Sequence, residues 1–250
     1  ASSAWLSWGA LLHLHRAPSA SRTEPGPVGM SVHVGFPPAP EALLLPVVDN
    51  HAHLALSRDG LDVPDLQAVI DAATAVGVPR MIQIGCDLPG ARFTLEVIDL
   101  YAALLGGIAI HPNEAPKLSD RGELESARAE IERLASHPRV RVIGETGLDY
   151  FRTGPEGVAA QQQSFRWHID LAKRMGKVLQ IHHRDAHDDV LRFLAAEGAP
   201  DHTVLHCLSG HLSGVRRGCS RGSPLSSAGP PTSHTTRRCR HASTEPPPPR

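Results

Sequence analysis

Short apolar runs alternate with amphipathic segments between about residues 43 and 207, and this alternation is the main structural signal in the chain. Six of the runs have the length of a buried strand: Leu43–Val48, Arg80–Ile84, Leu105–Ile110, Val140–Ile143, Val178–Ile181 and Thr203–Leu205. Between them the apolar positions recur with a helical period. Six βα repeats with nearly continuous apolar strands predict a parallel sheet covered by helices.

The amphipathic segments predict helices with defined apolar faces. The first begins at Pro64 and ends before Gly77, and its apolar stripe consists of Leu66, Val69, Ile70 and Ala73. Further helices are expected from about Glu123 to Ser136, from about Ala159 to Met175, and directly after Asp185. We assign Asp185 as the N-cap of that last helix, because a short polar side chain there can accept a hydrogen bond from a free backbone N–H.

Doubly wound sheets and (β/α) barrels both consist of such repeats, and the positions of the polar residues distinguish them. Ligand-type residues follow the apolar part of several different strands: His51, His53, His111, Glu145, His182 and His206. In a barrel the carboxyl ends of all strands form one rim, whereas a doubly wound sheet concentrates its site at one switch point. We therefore predict an α/β fold of the TIM-like (β/α) barrel class, incomplete, with about six βα units.

The two ends of the chain differ in composition from its middle. Residues 211–250 contain seven Arg, one Glu and no Lys, and they lack Ile, Phe, Tyr, Trp and Met. Such a segment buries too little apolar surface to offset its ordering entropy. We expect 1–39 to be a disordered or non-native extension, 40–210 to be the barrel, and 211–250 to be a disordered low-complexity tail.

The net charge of −1 conceals an acidic body, because residues 30–210 contain 16 basic and 24 acidic residues. An acidic body disfavours nonspecific binding to nucleic acid, so a phosphate substrate would have to be held by metal ions and a local basic group. Four cysteines without a CxxC pair favour a reduced, cytoplasmic protein. No segment approaches the length of a membrane span, and we infer no protein partner.

The strand ends carry chemistry typical of a divalent-metal site. His51 and His53 are two residues apart, so an extended strand directs both imidazoles to the same side. Glu145 follows the largely apolar run Val140–Ile143, and a buried carboxylate is unfavourable without a cation. Cys207 would face away from His206 in an extended strand, and we interpret it as a packing residue.

Taken together, these motifs resemble those of the TatD family of metal-dependent hydrolases. They are Asp49-x-His51-x-His53, the segment Gly107–Ala115 with its His-Pro, Gly144-Glu145-Thr146-Gly147-Leu148-Asp149-Tyr150, Ile181-His182-x-Arg184-Asp185-Ala186 and His206-Cys207-x-Ser209-Gly210. They occur in the family's order over roughly residues 44–210. The resemblance implies a distorted TIM barrel with a dinuclear metal site and, by analogy with the nucleases of the family, DNA as substrate.

The resemblance also implies roles for individual residues. One divalent ion would be held by His51 and His53 and a second by His182 and His206, with Glu145 bridging the two. Glu145 and His111 would be the catalytic residues, and His111 and Arg184 would contact the substrate phosphate or orient the adjacent loop. The ions would be Zn²⁺, Mn²⁺ or Mg²⁺, and the mixed imidazole and carboxylate donors favour the first two.

One departure from the family pattern concerns the segment after Gly210. Family members continue for two more strands, and the last ends in a Glu-Thr-Asp-like motif whose Asp binds a metal. Here the only carboxylate after Gly210 is Glu245, beside a run of prolines. The change to Arg, Ser, Pro and Gly is typical of a GC-rich gene translated out of frame, so we expect a truncated or frameshifted sequence.

Three alternatives to a nuclease stay open. The same metals could serve cleavage of an amide or cyclic amide, although the related amidohydrolase barrels usually bridge their metals with a carbamylated lysine, and Lys177 precedes its strand. The chain could instead be an inactive truncated product, because an open barrel has two unpaired edges. A third possibility is that the Arg-rich tail binds nucleic acid, but it has no interleaved aromatic residues.

Overall fold

A computed structural model of the chain describes residues 39–54 and 65–206 and contains one parallel sheet of six strands. The strands are β1 (Val48–Ala52), β2 (Arg80–Gly85), β3 (Leu104–Ile108), β4 (Val140–Asp149), β5 (Val178–Arg184) and β6 (Thr203–Leu205). Neighbours in the sheet are also neighbours in the chain, in the order β1 to β6, and every pair is parallel. A doubly wound sheet would reverse this order, so the predicted barrel topology is confirmed.

Helices follow the strands and cover the sheet. They are α1 (Leu66–Ala75), α2 (Leu88–Leu100), α3 (Ala115–Asp120), α4 (Leu124–Ala135), α5 (Pro155–Met175) and α6 (His187–Glu197). The helices expected from about Glu123 and Ala159 correspond to α4 and α5, the latter beginning four residues earlier at Pro155. Within the described residues, none of these helices is both long and apolar enough to cross a membrane.

The sheet is strongly curled, because residues of its first and fifth strands are in contact. Gln180 of β5 donates a hydrogen bond from Nε2 to the carbonyl oxygen of Asn50 in β1 at 2.8 Å. In a flat sheet the four inter-strand steps between β1 and β5 would place these strands about 19 Å apart. His206, directly after β6, stacks on His51 of β1 with 3.4 Å between ring centroids. The curl therefore gathers the carboxyl ends of the strands around one interior volume.

Large apolar side chains fill the space between the sheet and its helices. Phe165 and Ile169 of α5 are fully buried, and Phe193 of α6 packs edge-on against Phe165 at a centroid distance of 6.1 Å. Burial of each such side chain contributes about 1.5–3 kcal/mol. Helix ends are tied to the sheet by cations: the guanidinium of Arg139 donates to carbonyl oxygens at the end of α2, and Lys177 donates to those at the end of α4.

The first apolar run does not form a strand over the expected residues. β1 begins only at Val48, and Leu44 and Leu45 are largely exposed to solvent. The preceding segment is instead held by single hydrogen bonds, from Leu43 N to Val76 O and from Val47 N to Gly77 O. Pro46 lies between these bonds and has no N–H to donate, so the strand starts after it.

One helix boundary and two complete helices differ from the sequence expectation. Asp185 is not the N-cap of α6: it has a positive φ of 53°, and Ala186 occupies the cap position without a side-chain hydrogen bond. The prediction for Asp185 was therefore wrong. The helices α2 and α3 were not expected, although the side chain of Asp87 accepts a hydrogen bond from Gly90 N at the start of α2. The expectations for Pro64, Cys207 and both terminal segments lie outside the described residues.

Gly147 allows β4 to pass close to β5 beside the strand ends. Its φ is +139°, a conformation that side chains rarely permit, and a Cβ atom there would lie 2.0 Å from the carbonyl oxygen of His182. Only a residue without a side chain fits both the backbone conformation and the space. This close approach fixes the position of β4 relative to β5, and with it that of Glu145 relative to His182.

His168 of α5 joins that helix to the end of β3 through a completely buried imidazole. Its Nε2 accepts a hydrogen bond from Ile110 N at 3.1 Å, and its Nδ1 lies 2.8 Å from the carbonyl oxygen of Ser164. Because burial disfavours the charged ring, the pKa of His168 is lowered to about 3. The native protein therefore holds this imidazole neutral.

The buried neutral ring of His168 makes stability depend on pH. In the unfolded chain a histidine has a pKa of about 6.5, so below that pH the unfolded state binds a proton that the native state does not. We expect the free energy of unfolding to fall with decreasing pH, and His168→Gln to make this dependence shallower by up to about 1.4 kcal/mol per pH unit. Denaturant unfolding between pH 7 and pH 4.5 measures both slopes.

Exposed His202 supplies the matched control for this pH series. His202→Gln should leave the pH dependence of unfolding as it is in the unmodified chain. Parallel curves for His168→Gln and the unmodified chain would contradict the assignment of a linked proton to His168.

Candidate metal centre

The carboxylate of Glu145 lies at the centre of a histidine cluster at the carboxyl ends of the strands. Its Oε1 is 3.5 Å from His51 Nε2 and 3.7 Å from His53 Nε2, and its Oε2 is 3.1 Å from His182 Nδ1. Burial acts to raise the pKa of Glu145, but the imidazoles, chiefly those of His51 and His182, hold it well below its usual range. The buried carboxylate is therefore ionised.

Three groups of possible metal-ligating residues share this carboxylate, and in each group the donor atoms lie within 4.8 Å of one another. The groups are His51 with Glu145 and His206, His53 with Cys86 and Glu145, and His111 with Glu145 and His182. All five residues expected from the sequence as ligands, His51, His53, Glu145, His182 and His206, thus converge on one volume. Their role as ligands stays a proposal.

The two histidines of β1 face each other across a short gap. His51 Nε2 and His53 Nε2 are 3.0 Å apart, which is the consequence of their i, i+2 spacing in an extended strand. The backbone at this point is fixed by Asp49, whose Oδ1 accepts a hydrogen bond from His51 N at 3.0 Å. The sequence expectation for this pair is borne out in its geometry.

The hydrogen-bond partners of the two Nδ1 atoms determine which nitrogen of each ring carries the hydrogen. His51 Nδ1 lies 2.8 Å from Gln180 Oε1, and His53 Nδ1 lies 3.2 Å from the carbonyl oxygen of Ile84. Both oxygens are acceptors, so in each neutral ring Nδ1 carries the hydrogen and Nε2 directs a lone pair at the other ring. Two lone pairs at 3.0 Å beside an ionised carboxylate form a set of donors that fits a divalent cation.

His206 provides a second sign of a ligand site. Its ring is only 8% exposed and stacks on His51, yet its Nδ1 is buried without a hydrogen-bond partner among residues 39–54 and 65–206. A buried polar atom without a partner is unfavourable unless a ligand satisfies it. Burial, together with the neighbouring His51, lowers the pKa of His206 well below its usual range, so the ring is neutral and able to bind a cation.

His111 lies beside the cluster with one ring nitrogen turned towards it. Its Nδ1 accepts a hydrogen bond from Asn113 N at 3.1 Å, so in the neutral ring Nε2 carries the hydrogen. That Nε2 is 3.9 Å from Glu145 Oε1. Burial lowers the pKa of His111 to about 4, which keeps the ring neutral. The arrangement presents an N–H donor at the edge of the cluster.

Arg184 lies at the rim of the site, outside the ligand cluster. Its guanidinium carbon is 3.7 Å from the centroid of the Phe151 ring. Phe151 is 62% exposed, so this pair borders solvent. The expected contact of Arg184 with a substrate phosphate or the adjacent loop stays a prediction, and the structure adds the aromatic ring of Phe151 beside it.

Asp149 is a site residue that the sequence analysis left without a role. Its Oδ2 lies 3.1 Å from His182 Nε2 and accepts a hydrogen bond from Asn113 Nδ2, and its Oδ1 accepts one from Arg152 N. Burial acts to raise the pKa of Asp149, but these hydrogen bonds and His182 lower it, so the carboxylate is ionised. A carboxylate on the second nitrogen of a histidine orients the ring for metal binding.

The sequence signals for the overlooked residues are readable in retrospect. Asp149 follows Glu145 by four residues in the same strand, a spacing that places two side chains on one side of a sheet. Gln180 is the only strongly polar residue within the apolar run Val178–Ile181. Cys86, whose Sγ lies 3.7 Å from Glu145 Oε1, has no comparable signal beyond its position after β2.

The position of Lys177 bears on the amide-cleaving alternative. Its ammonium donates hydrogen bonds to the carbonyl oxygens of His137 and Val140, at the amino end of β4. His182 is at the opposite, carboxyl end of the neighbouring β5. Lys177 is therefore too far from the cluster to bridge two metals, and Glu145 occupies the position where the ligand groups meet.

Comparison with known proteins gives consistent similarities. The profile of the family described as TatD related DNase matches residues 48–250. A protein of Mycobacterium tuberculosis named uncharacterized metal-dependent hydrolase TatD is 40% identical over 200 residues, covering 78% of this chain and 74% of that protein. The 3'-5' ssDNA/RNA exonuclease TatD of Cronobacter turicensis is 33% identical over 170 residues, covering 66% of this chain and 61% of the exonuclease.

The fold has close counterparts among solved structures. YJJV, a TatD homologue from Escherichia coli K12, superimposes with a TM-score of 0.72 at 23% identity, covering 80% of this chain and 74% of YJJV. The similarity of fold extends over most of both chains.

Asp149 offers a test of the candidate metal centre. Asp149→Asn keeps the size of the side chain but removes the negative charge beside His182, so the ring becomes a weaker and less well oriented ligand. We expect the affinity for Zn²⁺, measured by isothermal titration calorimetry of the metal-free protein, to fall about 10- to 100-fold.

The control is Asp189→Asn. Asp189 accepts a hydrogen bond from Tyr150, the residue after Asp149, but it lies on α6 and pairs with Arg192 at the surface. Its Zn²⁺ affinity should match that of the unmodified chain. Equal affinities in all three proteins would show that Asp149 does not support a metal ligand.

Proposed function

The chain belongs to the TatD-related DNase family of metal-dependent hydrolases. We propose that it is a nuclease that hydrolyses phosphodiester bonds of DNA. The observation that carries the proposal is the ionised, buried carboxylate of Glu145 among the imidazoles of His51, His53 and His182. Such a centre suits an anionic substrate whose charge is balanced by bound cations. Relatives named as exonucleases on single-stranded DNA and RNA support the choice of nucleic acid.

We assign two metal positions that share Glu145. Following the family pattern, His51 and His53 would hold one divalent ion with Glu145, and His182 and His206 would hold the other with the same carboxylate. The donor atom of His206 also lies within 4.8 Å of those of His51 and Glu145. When bound, two such ions neutralise developing charge on phosphate oxygens and lower the pKa of water. Mixed imidazole and carboxylate donors favour Zn²⁺ or Mn²⁺ over Mg²⁺, which prefers oxygen ligands.

His111 is the side chain best placed to contact the scissile phosphate directly. Its Nε2–H faces the cluster, while its Nδ1 is already occupied by Asn113 N. A neutral N–H donor can stabilise charge on a phosphate oxygen without adding a titrating group to the site. We assign His111 this role.

The surrounding polar residues maintain the arrangement before a substrate binds. Gln180 and Asp149 each contact the outer nitrogen of a cluster histidine, and Gln180 is itself fixed by its bond to Asn50 O. Rings held in this way need little reorganisation when charge develops during the reaction. The site is therefore suited to electrostatic stabilisation of phosphoryl transfer.

Removal of the central carboxylate tests the proposal. Glu145→Gln keeps the shape of the side chain but removes the charge shared by both metal positions, so hydrolysis of a fluorescent DNA oligonucleotide with Mn²⁺ should fall at least about 100-fold. Release of product should be measured on single-stranded DNA, duplex DNA and a model amide substrate.

Glu130→Gln is the matched control, because this glutamate pairs with Arg92 at 2.8 Å on the outer surface. It should cleave DNA at the rate of the unmodified chain. Equal rates for Glu145→Gln and the unmodified chain would remove Glu145 from the reaction. Cleavage of the amide but not of DNA by the unmodified chain would contradict the nuclease assignment.

A further inference from the structure

Phe151 is an exposed aromatic residue in an unusual position. With 62% of its surface accessible, it is one of four large apolar residues that are strongly exposed among the described residues, and it directly follows the Asp149-Tyr150 segment of the site. One face of its ring is covered by the guanidinium of Arg184 at 3.7 Å. An isolated aromatic ring backed by a cation differs from a broad apolar patch, which would indicate a protein interface.

The pair lies one step outward from the metal-site residues. Asp149 and Arg184 are register partners at the ends of β4 and β5. His182 and Arg184 are two residues apart in β5, so their side chains are on the same side of the sheet, about 6.6 Å apart along the strand. Phe151 is likewise two residues beyond Asp149, whose carboxylate contacts His182 at 3.1 Å.

The backbone beneath the ring is held in place. Asp149 Oδ1 accepts hydrogen bonds from Phe151 N and Arg152 N, and Tyr150 N donates to the carbonyl oxygen of Arg184 at 2.9 Å. The hydroxyl of Tyr150 donates to Asp189 Oδ2 at 2.8 Å, which ties the segment to α6. The backbone that carries the exposed ring is therefore held in place before a ligand binds, which lowers the entropic cost of binding.

The guanidinium of Arg184 remains available for an anion. Its guanidinium carbon lies over the Phe151 ring, and within residues 39–54 and 65–206 no carboxylate forms an ion pair with it. Stacked arginines use their N–H edge for phosphate. The pair thus places a flat ring for a base next to a hydrogen-bond donor for a phosphate, the two groups that a nucleotide presents.

We propose that Phe151 and Arg184 form a stacking platform that holds the base adjacent to the scissile phosphate of a single-stranded nucleic acid. This inference rests on the proposed nuclease function and adds to it the two residues that contact the base. Every base has a π-face, so such a platform tolerates different sequences. Bases in a duplex are already stacked and paired, so single strands and frayed ends bind more favourably than intact duplex.

The test uses single-stranded oligonucleotides in which one nucleotide at a time is replaced by an abasic residue. With the unmodified chain and Mn²⁺, an abasic nucleotide next to the cleaved bond should raise KM roughly 5- to 100-fold, because the stacking contact is lost. Phe151→Ala should raise KM for the normal oligonucleotide by a similar factor and lose the distinction between normal and abasic substrates. Phe151→Tyr should retain both.

Leu100→Ala is the control, because Leu100 is an exposed apolar residue (74%) far from the site. It is the last residue of α2, before β3, and so lies at the amino end of the sheet, opposite the site. It should behave as the unmodified chain. Binding can be measured without turnover from the fluorescence of 2-aminopurine, a base analogue placed next to the cleaved bond. Stacking on the ring should quench this fluorescence in the unmodified chain and in Phe151→Tyr. Phe151→Ala should leave the fluorescence unquenched.

The outcomes separate this inference from the proposed function. Suppose that the unmodified chain hydrolyses DNA and that Phe151→Ala still shows the same KM difference between abasic and normal substrates. This result would overturn the platform and leave the nuclease function in place. Absence of DNA hydrolysis by the unmodified chain would overturn both. Equal cleavage of duplex and single strands would contradict the substrate preference.

Discussion

The buried carboxylate of Glu145 is the constraint on which the site and its surroundings depend. Removing an ionised carboxylate from water is unfavourable, and here the compensation comes from imidazoles on three other strands or strand ends, among them His51 and His182. The rings in turn require partners of their own, which explains Gln180 beside His51 and Asp149 beside His182. The polar side chains at this rim thus form one connected network around the Glu145 carboxylate.

That network exists because the sheet curls. Sequential parallel strands, each followed by a helix, bring the end of β1 against β5 and β6, so that Asn50 is bonded to Gln180 and His51 is stacked on His206. Glycine contributes where the strands approach most closely: at Gly147 no side chain could be accommodated beside His182. On the outer side of the sheet α5 and α6 pack against each other through Phe165 and Phe193, and the exposed Phe151 lies beside Arg184 at the end of β5.

The strand and helix alternation and the gathering of His51, His53, Glu145, His182 and His206 at the strand ends could be predicted from the sequence, because both depend on local patterns. The spacing of His51 and His53 and the apolar run before Glu145 are such patterns. The start of β1 was misplaced because Pro46 and the packing of Leu43 near α1 override the apolar run. Asp185 adopts a left-handed conformation, and no rule for N-caps anticipates that. The contacts of Gln180 and Asp149 join residues far apart in the chain, so only the folded geometry shows them.

Anomalous diffraction from crystals of the protein loaded with Zn²⁺ shows whether cations bind around Glu145. We expect anomalous peaks on both sides of the Glu145 carboxylate, one within bonding distance of His51 and His53 and the other of His182 and His206. Both peaks should disappear in crystals of Glu145→Gln prepared in the same way. Zinc bound elsewhere, with none at Glu145, would contradict the assignment of Glu145 as the shared metal ligand, as would peaks of undiminished height in Glu145→Gln.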